Sequence, residues 1–177
     1  KEVEPENYRV AHLKGLTPEQ LLHSILRATG NEEVRAQEST GEEKFDRRGY
    51  FTGTNTGLPT AYADIRTIFV ETFGQPAGVP EDDFAPGLNK ALFLMNDRLV
   101  LHWLQPRKHN LVSRLAGIES SDAIAGELYC SVLSRPPEEE EQQELSAYLE
   151  AHRDRRTAAL ADLAWSLLTS TEFRLNH

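Results

Sequence analysis

The sequence predicts an all-α protein, a compact multi-helix bundle interrupted by one long irregular loop at about 31–59. Three observations carry that expectation. Apolar residues recur at three- and four-residue intervals through most of the chain. Helix-starting and helix-stopping residues flank those runs, and no segment alternates apolar and polar residues with the period of a strand. At 177 residues the chain fits one domain. A domain of that length buries roughly 70% of the surface its unfolded form exposes, so it builds a core without covalent staples.

Residues 1–16 are polar and irregular, an expected lead-in from a longer protein, and 17–177 read as a single helical domain with a loop insertion at 31–59. The first helix opens on Thr17-Pro18-Glu19-Gln20: a capping Thr, Pro at the first helical position, and Gln three residues after the cap. Leu21, Leu22, Ile25 and Leu26 form its apolar stripe, and Gly30 stands where a helix end wants positive φ. From Asn31 to Pro59 the pattern dissolves into charged, glycine-punctuated sequence with scattered anchors (Val34, Phe45, Tyr50, Phe51, Leu58). A loop that long in a compact domain is usually functional or disordered, and a loop with a few docked aromatics is the expectation here.

A second helix runs from Thr60, with Tyr62, Ile65, Ile68, Phe69 and Phe73 on one face and Gly74 and Pro76 ending it. After a turn-rich acidic linker comes Leu88–Leu104, apolar nearly all round, which predicts one continuous, buried central helix. Shorter helices are expected at about 109–117, 121–134, 137–153 and 154–173. Pro137 and Glu138 to Glu141 suit a helix start, Asp154 suits a cap, and Trp165 and Leu168 are expected in the core.

No reactive constellation accompanies this scaffold. The charge of −9, with 28 acidic against 19 basic residues, argues against non-specific nucleic-acid binding and against docking on anionic membranes. No apolar run approaches the ~20 residues needed to span a bilayer, so no membrane insertion is expected. The single cysteine, Cys130, excludes an internal disulfide and a cysteine-based zinc site. The six histidines (His12, His23, His102, His109, His152 and His177) form no helical metal-binding pair, and no cofactor or metal is expected. Glu81-Asp82-Asp83 lacks the ligand alternation of a calcium loop, and the glycine-flanked stretch 53–57 lacks the Lys and the preceding strand of a phosphate loop.

The candidate catalytic residues are therefore weak ones. Glu127 and Asp162 are acids within apolar helices, where burial would raise a carboxyl pKa. Asn96 lies midway along the most apolar segment, and a buried Asn must either hold a backbone group or mark a site.

Several segments taken in order resemble a planctomycete family, the PSD-type C-terminal domain of unknown function. They are Leu16-Thr17-Pro18-Glu19-Gln20-Leu21-Leu22 with Ala28-Thr29-Gly30, then Phe69-Val70-Glu71-Thr72-Phe73-Gly74-Gln75-Pro76, then Ala91-Leu92-Phe93-Leu94-Met95-Asn96. Glu127-Leu128-Tyr129 with Leu133-Ser134-Arg135-Pro136-Pro137 follows, and last Trp165-Ser166-Leu167-Leu168-Thr169-Ser170-Thr171-Glu172-Phe173 with Asn176-His177. The resemblance covers about residue 16 to the end, apart from 31–59. It implies a C-terminal module of a large exported or cell-envelope protein in which a cytochrome-c-like domain is often a separate unit. It brings no catalytic residues with it. Cysteines found in relatives before the central helix are replaced here by Glu81-Asp82-Asp83-Phe84, which removes any redox or metal role for that position.

The expected function is a non-catalytic interaction or scaffolding domain whose partners are N-terminal domains of the same polypeptide. The chain opening Lys1-Glu2-Val3-Glu4-Pro5 reads as an internal cut. The alternative is an extracellular hydrolase of polysaccharide using carboxylates near the 31–59 loop, since long irregular segments on rigid scaffolds often carry function. An exposed apolar patch would favour the first. Two carboxylates roughly 5–10 Å apart across an aromatic-walled cleft would favour the second.

Overall fold

The computed structural model describes residues 14–33, 47–52, 57–74 and 88–176. The fold within them is all-α. In chain order the helices are α1 (Pro18–Thr29), α2 (Arg47–Thr52), α3 (Tyr62–Phe73), α4 (Leu88–Asn96), α5 (Arg98–Trp103) and α6 (Leu111–Ala116). These are followed by α7 (Ser121–Leu133), α8 (Glu139–Ala151), α9 (Arg156–Leu168) and α10 (Thr171–Arg174), with a 3-10 turn at Arg153–Arg155.

The boundaries of α1 follow directly from its sequence. Thr17 and Gln20 cap each other, with the Gln20 N–H donating to Thr17 Oγ1 at 3.3 Å and the Thr17 N–H to Gln20 Oε1 at 3.0 Å. Gly30 at φ 72° closes the helix in the left-handed region that disfavours a side chain. Leu22, Ile25 and Leu26 are fully buried, and α1 packs against α3, α6 and α7. In turn α9 lies on α6, α7 and α8, so that α1 and α9 are the two inner walls of the bundle. An aromatic cluster fills the α3 side: Phe69 meets Phe73 and Phe93 at 5.4 Å and Trp103 at 6.2 Å between ring centroids.

Several expectations require correction. The predicted central helix is two helices, because Asp97 intervenes. Its carboxylate accepts the Leu99 N–H at 2.8 Å, a cap that starts α5 afresh. The break rotates the apolar residues apart. Leu94, Leu99, Val100 and Trp103 go inward, while Leu92, Met95 and Leu101 are 43–46% exposed.

The 31–59 segment is not uniformly irregular either, since Arg47–Thr52 is helical and Tyr50 docks on the core. That helix is short and carries Gly49 in its middle, which hid it. The predicted 154–173 helix divides at Ser170, whose hydroxyl caps α10 through the Phe173 N–H at 3.1 Å. Asp154 lies in the 3-10 turn and does not cap α9. Asn110 moves the start of α6 to Leu111 by accepting the Ser113 N–H at 3.0 Å. Pro137 precedes α8, whose first residue is Glu139. Leu168 is core as expected, but Trp165 is half-buried.

Lys14–Gly15 forms a two-residue antiparallel bridge with Leu175–Asn176, tying the lead-in to the chain's last described residues. Residues 1–13, 34–46, 53–56 and 75–87 lie outside the described residues, and so do the expectations placed on Val34, Phe45, the 53–57 stretch and the Glu81-Asp82-Asp83 turn.

Candidate functional site

The three residues singled out from sequence do not converge. Asn96 is exposed at the end of α4, where its side-chain amide donates to the Leu92 carbonyl one turn back at 3.3 Å. Glu127 on α7 accepts from Arg114 at 2.9 Å and from the Ser131 hydroxyl at 3.3 Å, with over a third of its side chain in solvent. Asp162 on α9 accepts from the Tyr148 hydroxyl and from Arg155, both at 3.1 Å. Neither acid is sequestered. Each is one end of a surface ion pair.

The polar side chains that are buried are others: Thr29, Asn31 and Asn110, all about 1% exposed or less. They meet where α5 hands over to α6. The Asn31 amide donates to Thr29 Oγ1 at 2.7 Å and to the Trp103 carbonyl at 3.2 Å. The Asn110 amide donates to the Gln105 carbonyl at 2.7 Å and to the Trp103 carbonyl at 3.3 Å. Arg107 reaches into this junction. Its Nη2 donates to Asn31 Oδ1 at 2.6 Å, its Nη1 lies 3.3 Å from His102 Nε2, and its buried Nε–H has no acceptor. Burial, reinforced by the Arg107 charge, holds His102 below the ordinary histidine pKa. The ring is neutral and accepts from Arg107.

Sequence reasoning passed over this junction because its bonds join residues more than seventy positions apart. One local signal was readable, the Asn110 cap before Leu111-Val112.

A second polar contact joins α2 to α5, where the Tyr50 hydroxyl donates to Asp97. Burial raises the pKa of both groups; the Asp97 carboxylate raises Tyr50 further, while the hydrogen bond from Tyr50 partly offsets the rise at Asp97. A third is Arg135, which fans across Glu141 and Glu172 with bonds of 2.6–2.9 Å and lies 5.3 Å over the Tyr129 ring. The two carboxylates hold Arg135 firmly protonated, and Arg135 holds Glu141 below the usual carboxylate range.

One concave surface among the described residues is mainly apolar. An open groove of about 560 Å³ runs between the end of α5 and α9, lined by Leu101, Leu104, Pro106, Ala158, Ala161 and Trp165, with Gln105, Thr157 and Asp162 at its edges. The Trp165 indole donates to the Leu94 carbonyl at 3.3 Å, which brings α4 against the same wall. Asp162 is the single carboxylate lining the groove, and Arg155 already engages it. A two-carboxylate cleft is therefore not what this groove presents.

Among the described residues no group of three or more His, Cys, Asp or Glu side chains is placed to hold a metal ion. No described helix is long and apolar enough to cross a membrane. Comparison with known protein families, with curated proteins and with solved structures finds no match to this chain.

Proposed function

We propose that this chain is a non-catalytic interaction module and that the face formed by α4, α5 and α9 is its contact surface. The supporting observation is the apolar groove of about 560 Å³, with the exposed Leu92, Met95 and Leu101 on the two helices that adjoin or line it. Single exposed apolar side chains are ordinary. Leu101 lines the groove, and α4, which carries Leu92 and Met95, meets its wall through the Leu94 carbonyl. An apolar groove beside further exposed apolar side chains is the pattern of a surface that another chain segment covers. The family resemblance supplies the partner in this reading: the preceding domains of a large exported polypeptide, with the helical module docked at its C-terminal end.

Met95 is the chain's single methionine and is 45% exposed, so it reports on that cover. Peroxide oxidation of Met95, followed by peptide mass spectrometry, should be several-fold slower in the full-length polypeptide than in the isolated module. Equal Met95 oxidation in the two, together with equal labelling of Trp165, would refute the assignment.

A further inference from the structure

We infer that the α5–α6 junction is an acid-sensitive latch, in which a proton taken up by His102 breaks its bond with Arg107 and releases the 104–110 loop. The geometry allows one protonation state of the ring. His102 Nε2 faces Arg107 Nη1 at 3.3 Å, and a guanidinium only donates. Nε2 must therefore be the bare, accepting nitrogen. A proton placed on it sets donor against donor and cation against cation at that distance.

Burial and Arg107 oppose the added charge, and the bond to Gln105 offsets them only in part. Gln105 is the other side chain bonded to the ring, and the charge acting on it is that of Arg107. The neighbouring elements contribute neutral or cationic groups, or acids already engaged. From α1 come Thr29 and Asn31, and from α6 come Asn110 and Arg114, with Arg114 held by Glu127. Across the groove α9 presents Asp162, held by Arg155, while Lys108 and His109 are exposed in the loop itself. Arg107 is weakly anchored on its own account, because its Nε–H is buried without an acceptor. When the contact with His102 fails, the Arg107 side chain keeps its bond to Asn31, and the loop backbone keeps its bonds to Asn110, so the release is a local loosening of the loop.

The loop that this releases carries Leu104, Gln105 and Pro106, one wall of the groove. The latch does not depend on what fills that groove, and the loop itself reports on it. The experiment is an NMR titration of the native chain between about pH 8 and about pH 5, following the His102 ring and the backbone amides of Leu104, Gln105 and Arg107, which stand apart in sequence from His109 in the same loop. The ring and the loop amides should move together, with a midpoint below the ordinary histidine value of about 6.5.

In His102→Gln, whose side-chain oxygen can still accept from Arg107, the loop amides should stay flat. In Arg107→Gln the ring midpoint should rise toward the ordinary value. Loop amides that do not move in the native chain would overturn the inference. So would a loop transition that persists in His102→Gln, or an unchanged ring midpoint in Arg107→Gln.

Discussion

The buried junction makes its sharpest demand on Asn31, which is fully inaccessible and makes four side-chain bonds, to the Thr29 hydroxyl and carbonyl, the Trp103 carbonyl and Arg107. Truncation to Ala leaves those partners in unequal positions. The Thr29 hydroxyl still donates to the Ile25 carbonyl at 2.7 Å, and the Trp103 carbonyl still accepts from Asn110 at 3.3 Å. Arg107 Nη2 is the one left without an acceptor, beside an Nε–H that already lacks one. An orphaned charged donor costs about 1–3 kcal/mol, and the vacated amide volume adds about 1 kcal/mol of lost packing. Arg107 is only partly buried and can turn one nitrogen toward water, which favours the lower half of that range.

Asn31→Ala should therefore destabilise the fold by about 2–3 kcal/mol. At a urea dependence near 2 kcal/mol per M this is a midpoint shift of roughly 1 M. Arg107→Gln made first should shrink the loss, because the orphaned charge is then gone, so the two changes should be strongly non-additive. A loss below about 0.5 kcal/mol, or strict additivity with Arg107→Gln, would show that the junction is not what holds α5 to α6.

Two further outcomes follow from the charged contacts. Arg135→Ala removes a fan of bonds to Glu141 and Glu172, whose side chains are roughly one-third exposed, so solvent screening limits the loss to about 1–2 kcal/mol in urea denaturation at neutral pH. Because Glu141 is held below the usual carboxylate range, that stability is present above the ordinary Glu pKa and is lost as pH falls through the folded value; the variant should lack this part of the acid-side decline. Asp97 has the opposite sign. Its pKa is raised by burial, so the stability carried by the protonated form at low pH is lost as pH rises through the folded value. Asp97→Asn keeps an oxygen for the Leu99 N–H and the Tyr50 hydroxyl without the buried charge. It should be at least as stable as the native chain at neutral pH, and a loss above about 1 kcal/mol there would mean that the cap needs the carboxylate's charge.

Legibility from sequence divided along the reach of the forces involved. The ends of α1 were readable because Thr17, Gln20 and Gly30 act within one helical turn of themselves. The all-α class was readable because apolar spacing is a local property. The central run misled because its periodicity continues across residue 97, and an apolar count does not register one capping aspartate that resets the helix.

Asn96 and Asn31 show the limit most plainly. The first sits in apolar sequence and ends exposed, bonding only to its own preceding turn. The second opens a charged, irregular stretch and ends completely buried. What buries Asn31 is the Trp103 carbonyl and Arg107, 72 and 76 positions away, and no local pattern encodes that meeting.

The polar junction and the apolar groove meet on α5, which Asp97 starts. By capping at residue 97 it leaves α5 six residues long, and the last four carbonyls of any helix lack partners within it. In a helix that short, most carbonyls fall in that class, and the Trp103 carbonyl ends against the core, where water cannot serve it. Two side-chain amides, Asn31 and Asn110, fill the role, and Asn110 also serves the Gln105 carbonyl. Hence two asparagines are buried in a core whose other buried polar side chain, among the described residues, is Thr29. The same restart fixes the rotation of α5. With Leu99, Val100 and Trp103 turned inward, Leu101 must face out, onto the wall it shares with Trp165. An uninterrupted helix through residue 104 would still have left the Trp103 carbonyl in its last turn without a partner, but would have presented a different face to α9. The exposed face of α5 is thus set by its start at Asp97, and the polar knot by its end at Trp103.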